Sequence, residues 1–263
     1  MKKRKSVLIT AGTKNTGFVI AKAFAAKGYD VHITGRNAER RKIAVEELKS
    51  EFPQISVYGY EMEMSSVSDI KRVFEEIGKN TESLDVFIAN AANLGIGVDI
   101  YNADEEAFDG IIDVNVKGTF FCCRECAKLM KKDGGSIVLM SSVQSKGGVE
   151  GRTVYCISKA AENAMAKCLA YDLAPYDIRV NSLVIGAIHT ERWDGLDDAT
   201  YAQRRQAYPL KREADMADVA NAVMFLSEDC SKMITGTELT IDSGVLVPLL
   251  SYKDRKNFKR EDF

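Results

Sequence analysis

The chain has 263 residues, of which 46% are hydrophobic and 28% are charged, and its formal net charge at pH 7 is −2. This composition is typical of a soluble globular protein large enough for one α/β domain or two small ones. The nearly balanced charge argues against a protein built to bind nucleic acid or an anionic membrane surface.

The amino terminus, "MKKRK", is basic, and the apolar run behind it is only "VLI". That run is too short for a signal peptide or a membrane span, so we predict a cytoplasmic protein that starts with a solvated tail. A nucleic-acid-binding arm is the less favoured alternative. The carboxyl-terminal segment, residues 248–263, alternates charge sign and is predicted to fray.

Seven short apolar runs alternate with amphipathic stretches along residues 6–247. In chain order the runs are "SVLIT", "DVHIT", "SVYGYEM", "LDVFIAN", "GSIVLMSS", "IRVNSLVI" and "ELTID". Continuous apolar runs bounded by turn residues predict strands buried on both faces. Their alternation with helices predicts one α/β domain, a Rossmann-type doubly wound parallel sheet of about seven strands with helices on both faces.

The first strand leads into "TAGTKNTG" (residues 10–17), where a helix begins. A helix N-terminus offers free N–H groups and partial positive charge, which suit a pyrophosphate. The loop has few glycines, however, and on its own it is equally compatible with a plain strand–helix turn.

The second strand ends in Thr34, Gly35 and Arg36, without the carboxylate that holds a ribose 2′-hydroxyl in NAD-binding folds. Arg36 and Lys14 could instead bind a 2′-phosphate. The sequence therefore favours NADP(H) over NAD(H), with two ordinary surface cations as the alternative.

The run "CCREC" lies in the helical stretch that follows "DVNVKG", in which Asn115 is predicted to begin a helix. No histidine or distant cysteine pair completes a set of metal ligands, so we predict no metal site. We expect the chain's six cysteines to be reduced thiols, and those of "CCREC" to be buried small hydrophobes.

The segment "YCISK" places Tyr155 and Lys159 on one face of a predicted helix. Free tyrosine has a pKa of about 10, and a lysine cation one turn away stabilises the charged phenolate. The pair is therefore suited to general acid/base chemistry on a carbonyl or alcohol oxygen. Ser142 ends the preceding strand and could donate a hydrogen bond to that oxygen.

These segments together resemble the short-chain dehydrogenase/reductase family, from Val7 to about Val247. The resemblance rests on "LDVFIANAA", "DVNVKGTFF", "GGSIVLMSS", "YCISK", "DLAPYDIRVNSLVIGAIHT", "PLKREADMADVANAVMFLSED" and "ITGTELTIDSG". It implies that Tyr155 is the catalytic acid/base, Lys159 binds the nicotinamide ribose, Ser142 orients the substrate and Asn115 supports a water-linked proton relay. With Lys14 and Arg36 from above, the predicted cofactor-binding residues are Thr10, Gly12, Lys14, Asn15, Thr16, Gly17, Arg36, Glu63, Met64, Asn90, Ala91, Ala92, Tyr155, Lys159, Gly186, Ile188 and Thr190.

The first loop departs from the family pattern, because Ala11 and Asn15 stand where the family has its first two glycines. We expect Gly12 to take over the turn one residue late, and Asn15 to adopt the left-handed conformation that asparagine tolerates. The loop is interpreted as a working variant.

Residues 186–209 are predicted to form a lid over the substrate. Its Arg192 and Trp193, together with Gln144, are the candidate substrate contacts, with Arg192 suited to an anionic group. The alternative is an amphipathic lid helix with solvated arginines.

The resulting hypothesis is an NADP(H)-dependent oxidoreductase that transfers a hydride between nicotinamide and a small carbonyl or secondary-alcohol substrate. The family resemblance also implies a homo-oligomer, often a tetramer. A non-catalytic NADPH-binding sensor or scaffold is the alternative from another functional class. Enoyl reduction is less favoured, because related enoyl reductases have a wider spacing than the four residues between Tyr155 and Lys159.

Overall fold

The structure, a computed structural model, describes residues 4–193 and 195–247, apart from the side chain of Arg192. The predicted terminal segment 248–263 lies outside these residues. None of the described helices has the length and apolarity that crossing a bilayer would require.

Within residues 4–193 and 195–247, seven parallel strands form one sheet in the order β3-β2-β1-β4-β5-β6-β7. They are β1 (Ser6–Ile9), β2 (Asp30–Thr34), β3 (Val57–Tyr60), β4 (Val86–Ala89), β5 (Gly135–Ser142), β6 (Ile178–Ile185) and β7 (Glu238–Ile241). Each lies within one of the seven predicted runs, so the fold prediction is confirmed. The strand order reverses between β1 and β4, which is where doubly wound sheets bind ligands.

In the described part of the chain, eight α-helices connect and cover the strands. They are α1 (Asn15–Ala26), α2 (Ala38–Glu51), α3 (Val67–Asn80), α4 (Glu105–Ile112), α5 (Thr119–Met130), α6 (Thr153–Leu173), α7 (Asp198–Gln206) and α8 (Met216–Ser227). Side-chain caps begin several of them: Asn37 accepts from the backbone N–H of Arg40, and Ser66 from that of Asp69.

Two apolar cores lie on opposite faces of the sheet. One contains buried residues of α1, α2 and α8, and the other contains buried residues of α3, α5 and α6. In α3, Ile70, Val73, Phe74 and Ile77 recur at helical spacing and are all buried. Both faces of the strands are therefore covered, which accounts for their continuous apolar sequence.

The cysteines of "CCREC" are buried in the second core, as the sequence predicts. Burial raises the pKa of the thiols of Cys122, Cys123 and Cys126, which keeps them neutral. They fill space as small apolar side chains.

The prediction that Asn115 begins a helix was wrong. A π-helical turn, Asp113–Gly118, joins α4 to α5, so Asn115 lies inside one continuous helical stretch. No proline or capping side chain interrupts the chain at this point, and a single widened turn is accommodated within the helix.

Candidate active site

In the loop between β1 and α1, two residues other than glycine adopt a left-handed backbone conformation, with positive φ. Ala11 has φ 51° and Asn15 has φ 49°. Gly12 does not have a positive φ, so the expectation that it takes over the turn was wrong. Gly12 is needed for space, because a Cβ atom there would lie 2.7 Å from Cγ2 of Ile33.

Two neighbouring residues hold this loop in place. Asn90 donates through Nδ2 to the carbonyl oxygens of Thr10 and Ala11, at 3.0 and 3.2 Å. A Cβ atom at Gly17 would lie 2.5 Å from the carbonyl oxygen of Ala11, so only glycine allows α1 to start this close. The side chain of Lys14 does not cap α1. The geometry therefore fits a pyrophosphate cradle.

Restoring glycine at the first altered position should stabilise the protein. Ala11→Gly removes the cost of a left-handed alanine, and we expect the free energy of unfolding to rise by about 1 kcal/mol. Ala23→Gly, in the middle of α1, should instead lower it by about as much. Urea denaturation of both variants measures the difference; equal destabilisation would contradict the observed backbone conformation.

Three cavities, of about 570, 510 and 500 Å³, adjoin one another along the carboxyl ends of the strands, and all three share Ala92 and Leu94. We name them the central, adenine-side and loop cavities.

Each of the three cavities gathers predicted site residues. The central cavity is lined by Thr16, Asn90, Ala92, Ser142, Gln144, Tyr155, Lys159, Gly186, Ile188, Thr190 and Trp193. The adenine-side cavity is lined by Arg36, Glu63, Met64, Ala91 and Ala92. The loop cavity is lined by Lys14, Asn15, Thr16, Gly17, Arg36, Asn90, Ala92 and Thr190.

Among the predicted site residues whose side chains the structure describes, Thr10, Gly12 and Asn115 line none of these cavities. Thr10 is buried, and its Oγ1 accepts hydrogen bonds from the backbone N–H groups of Asn90 and Ala91. Oδ1 of Asn115 accepts from the N–H of Asn93 at 2.7 Å, and its Nδ2 donates to the oxygens of Asn93 and Ser158. Both side chains position backbone around the cavities.

The predicted 2′-phosphate contacts are arranged around the loop cavity. Lys14 lies 3.3 Å from Glu191, and Arg36 lies 3.5 Å from Glu63. Arg40, in the first turn of α2, lines the same cavity and was not predicted. Its position three residues after the N-cap Asn37 is the signal that could have identified it.

Glu63, one of the predicted cofactor-binding residues, lines the adenine-side cavity. Burial raises the pKa of its carboxyl, but hydrogen bonds from Ser65 and the charge of Arg36 outweigh that effect, and the net pKa is lowered. Glu63 is therefore ionised at neutral pH.

The central cavity brings together three of the four predicted catalytic residues, Ser142, Tyr155 and Lys159. Ser142 ends β5, and Tyr155 and Lys159 lie on α6. Nζ of Lys159 is 5.7 Å from the centroid of the Tyr155 ring. Oε1 of Gln144 is buried and accepts no hydrogen bond from any described residue. Hydroxyl, phenol, ammonium and amide groups thus surround one small-molecule space.

Lys159 has an unpredicted partner in Glu162. Its Nζ donates to both carboxylate oxygens of Glu162, at 2.8 and 2.9 Å, and to the carbonyl oxygen of Met140 at 2.8 Å. Burial lowers the pKa of Lys159, but the charge of Glu162 outweighs it and the net pKa is raised. Glu162 follows Lys159 by three residues, a helical spacing that could have predicted the pair.

The lid, residues 186–209, contains a short 3₁₀ turn (Glu191–Trp193) and α7. Trp193 is buried and lines the central cavity, whereas the side chain of Arg192 lies outside the described parts of the structure. Arg205 forms two 2.8 Å hydrogen bonds to Glu213. Arg204, a cation of the predicted lid, lines the central cavity. Arg152, directly before α6, lines it as well and was not predicted.

Known proteins are similar in sequence to this chain over nearly its whole length. A family model described as enoyl-(acyl carrier protein) reductase matches residues 11–246. A 3alpha-hydroxysteroid dehydrogenase of Mediterraneibacter gnavus is 31% identical over 243 residues, covering 92% of this chain and 97% of that protein. A 3-oxoacyl-(acyl carrier protein) reductase of Staphylococcus aureus is 30% identical over 249 residues, covering 93% and 99%.

Solved structures of short-chain dehydrogenases are also similar to this chain in fold. A putative short-chain alcohol dehydrogenase from Sinorhizobium meliloti superposes with a TM-score of 0.85 at 26% identity, covering 92% of this chain and 96% of that one. A short-chain type dehydrogenase/reductase from Mycobacterium ulcerans gives a TM-score of 0.86 at 26% identity, covering 92% and 90%.

The chain belongs to the short-chain dehydrogenase/reductase family. The resemblance stated from sequence is thereby confirmed. As a short-chain dehydrogenase/reductase it is an oxidoreductase, which disfavours the alternative of a non-catalytic sensor or scaffold.

Proposed function

We propose that this short-chain dehydrogenase/reductase interconverts a carbonyl and a secondary alcohol with NADP(H) as the cofactor. The observation that carries the proposal is the continuous cleft, which runs from the cations beside the loop cavity to Ser142, Tyr155 and Lys159. The two curated relatives are named as a hydroxysteroid dehydrogenase and an oxoacyl reductase, names that refer to hydroxyl and carbonyl groups. The spacing of Tyr155 and Lys159 supports carbonyl chemistry over enoyl reduction.

The residues of the cleft fit a dinucleotide. The uncapped start of α1 and the turn at Ala11 and Asn15 would hold the pyrophosphate. Glu63 and Met64 would flank the adenine, and Lys159, Ile188 and Thr190 would hold the nicotinamide riboside.

The chemistry requires proton control at the substrate oxygen. The bound cofactor supplies a hydride for reduction and accepts one for oxidation. In reduction, Tyr155 gives its phenolic proton to the carbonyl oxygen, and Ser142 donates a hydrogen bond to the charge that develops there. The ammonium of Lys159 stabilises the phenolate that remains. Asn115 acts as a positioning residue, since it holds the Asn93 backbone and Ser158 of α6.

Cofactor choice is tested by titration with NADPH and, separately, NADH. Arg36→Gln should weaken NADPH binding about tenfold, because a charge-assisted hydrogen bond to the 2′-phosphate is lost, and should leave NADH binding unchanged. Arg40→Gln should act in the same way. Arg124→Gln, on α5, is the matched control. Preferential NADH binding by the unaltered protein would contradict the proposed cofactor.

We also propose a cytoplasmic homo-oligomer, a tetramer by family analogy. Phe120 on α5 and Ile157 on α6 are 42% and 51% exposed, and association would bury them. Light scattering should give the mass of four chains, and a monomer would contradict the proposal.

A further inference from the structure

Two arginines on different elements line the central cavity. Arg152 precedes α6, and its guanidinium lies 5.5 Å from the centroid of the Tyr155 ring. Arg204 belongs to α7 in the lid, and its guanidinium lies 5.1 Å from the Trp193 ring. Both line the central cavity, and neither lines the loop cavity that would hold the pyrophosphate.

The charge of these arginines is not balanced within the cavity. Among its described lining residues none is acidic, while Arg152, Lys159 and Arg204 are basic. Lys159 is paired with Glu162, which lies outside the lining. In the described part of the chain, neither arginine forms an ion pair with a carboxylate.

The neighbouring residue, Arg205, differs from Arg204 because it is paired with a carboxylate. Arg205 follows Arg204 in α7, yet it is turned to Glu213 and forms a bidentate ion pair outside the central cavity. Its two hydrogen bonds lower the pKa of Glu213 to about 2, against the effect of burial. Glu213 is thus occupied by Arg205, and the guanidinium of Arg204 is left to the cavity.

Arg152 also retains binding capacity. One of its nitrogens, Nη1, donates to the carbonyl oxygen of Leu94. A guanidinium carries five N–H donors in a planar fork, so most of them remain for a ligand. The fork matches the geometry of a carboxylate or phosphate, and the buried apolar ring of Trp193 lowers the local dielectric, which strengthens the attraction.

We propose that the substrate is an organic anion, with its carbonyl or hydroxyl carbon beside Ser142 and Tyr155 and its oxoanion group held between Arg152 and Arg204. The proposal rests on the proposed function and adds the chemical class of the substrate. The central cavity, of about 570 Å³, would hold a small substrate beside the nicotinamide riboside. Carboxylate and phosphate are the two candidate oxoanions.

The test uses the fluorescence of Trp193, which is the chain's only tryptophan and lines this cavity. The probes are 4-(hydroxymethyl)benzoate, 4-(hydroxymethyl)phenyl phosphate and the neutral isostere 4-(hydroxymethyl)benzamide. We expect at least one anion to bind about tenfold more tightly than the amide. The tighter anion identifies the preferred oxoanion.

Variants of the two arginines test whether they cause the preference for the anion over the amide. Arg204→Met, which retains contact with Trp193, should reduce the preference for the anion to twofold or less. Arg152→Gln, which retains a donor for the carbonyl of Leu94, should also reduce it. Arg212→Met, an exposed residue near the lid, should leave it unchanged.

Two outcomes overturn the proposal. One is that neither anion binds better than the amide to the unaltered protein. The other is that the preference survives in both Arg204→Met and Arg152→Gln. Because the readout needs no turnover, it is separate from the proposed function. Absence of NADP⁺ reduction with a broad alcohol panel would refute that function while the anion preference stands.

Discussion

Replacing Tyr155 by phenylalanine is expected to lower turnover by a factor of about 10²–10⁴ and to leave NADPH affinity within about twofold. The variant keeps the ring that packs beside Lys159 and Arg152 and removes only the phenolic hydroxyl, and with it the proton to be transferred. Without that proton no group at this position can protonate the substrate oxygen as the new C–H bond forms. Steady-state kinetics and NADPH titration of the same preparation measure the two effects.

The control for this variant is Tyr171→Phe, on the same helix but 85% exposed. Its turnover should match that of the unaltered protein. Full activity of Tyr155→Phe would refute the proposed mechanism, whereas loss of NADPH binding would show that the phenolic hydroxyl also supports cofactor binding.

Changing Glu162 to glutamine should remove a pH dependence from the stability of the protein. Burial raises the pKa of the Glu162 carboxyl to about 7, from an ordinary value of 4.5, although Lys159 opposes the shift. Between these pH values the native protein binds more protons than the unfolded chain. The free energy of unfolding therefore falls as pH rises, by at most about 1.4 kcal/mol per unit.

The groups facing Glu162 do not alter the sign of this prediction. Lys159 has a raised pKa and stays charged over this range, and burial raises the pKa of Cys123 so that it stays neutral. In Glu162→Gln this contribution disappears. The free energy of unfolding of the variant, relative to that of the unaltered protein, should therefore increase as pH rises from about 5 to about 7.

Denaturation at several pH values measures this difference. Glu150→Gln, which changes an exposed side chain, is the matched control and should follow the unaltered protein. Parallel curves for Glu162→Gln and the unaltered protein would contradict a buried carboxyl that titrates near neutral pH.

The fold could be predicted from sequence because its signals are local and repeated. Each strand is a continuous apolar run, and α3 buries Ile70, Val73, Phe74 and Ile77 at helical spacing. Parallel topology then places the strand ends at a common edge, so Ser142, Asn90 and Tyr155 could be expected around one cleft.

The parts that sequence could not predict depend on side-chain direction and on backbone strain. Arg204 and Arg205 are adjacent and chemically identical, and only the position of Glu213 in space separates their roles. Asn115 was assigned to a helix start because nothing in the sequence marks a π-helical turn. Gly12 was expected to make the turn, since a left-handed alanine at residue 11 is unfavourable.

That last feature bears on how such proteins are traced through evolution. A search that defines the nucleotide-binding loop by the positions of its glycines rejects this chain. Ala11 and Asn15 nevertheless adopt the left-handed backbone conformation that glycine readily takes. The loop therefore has the left-handed conformation at these two positions without the glycines that usually occupy them. Divergent lineages with such loops are therefore better delimited by the two left-handed positions, four residues apart, than by residue identity.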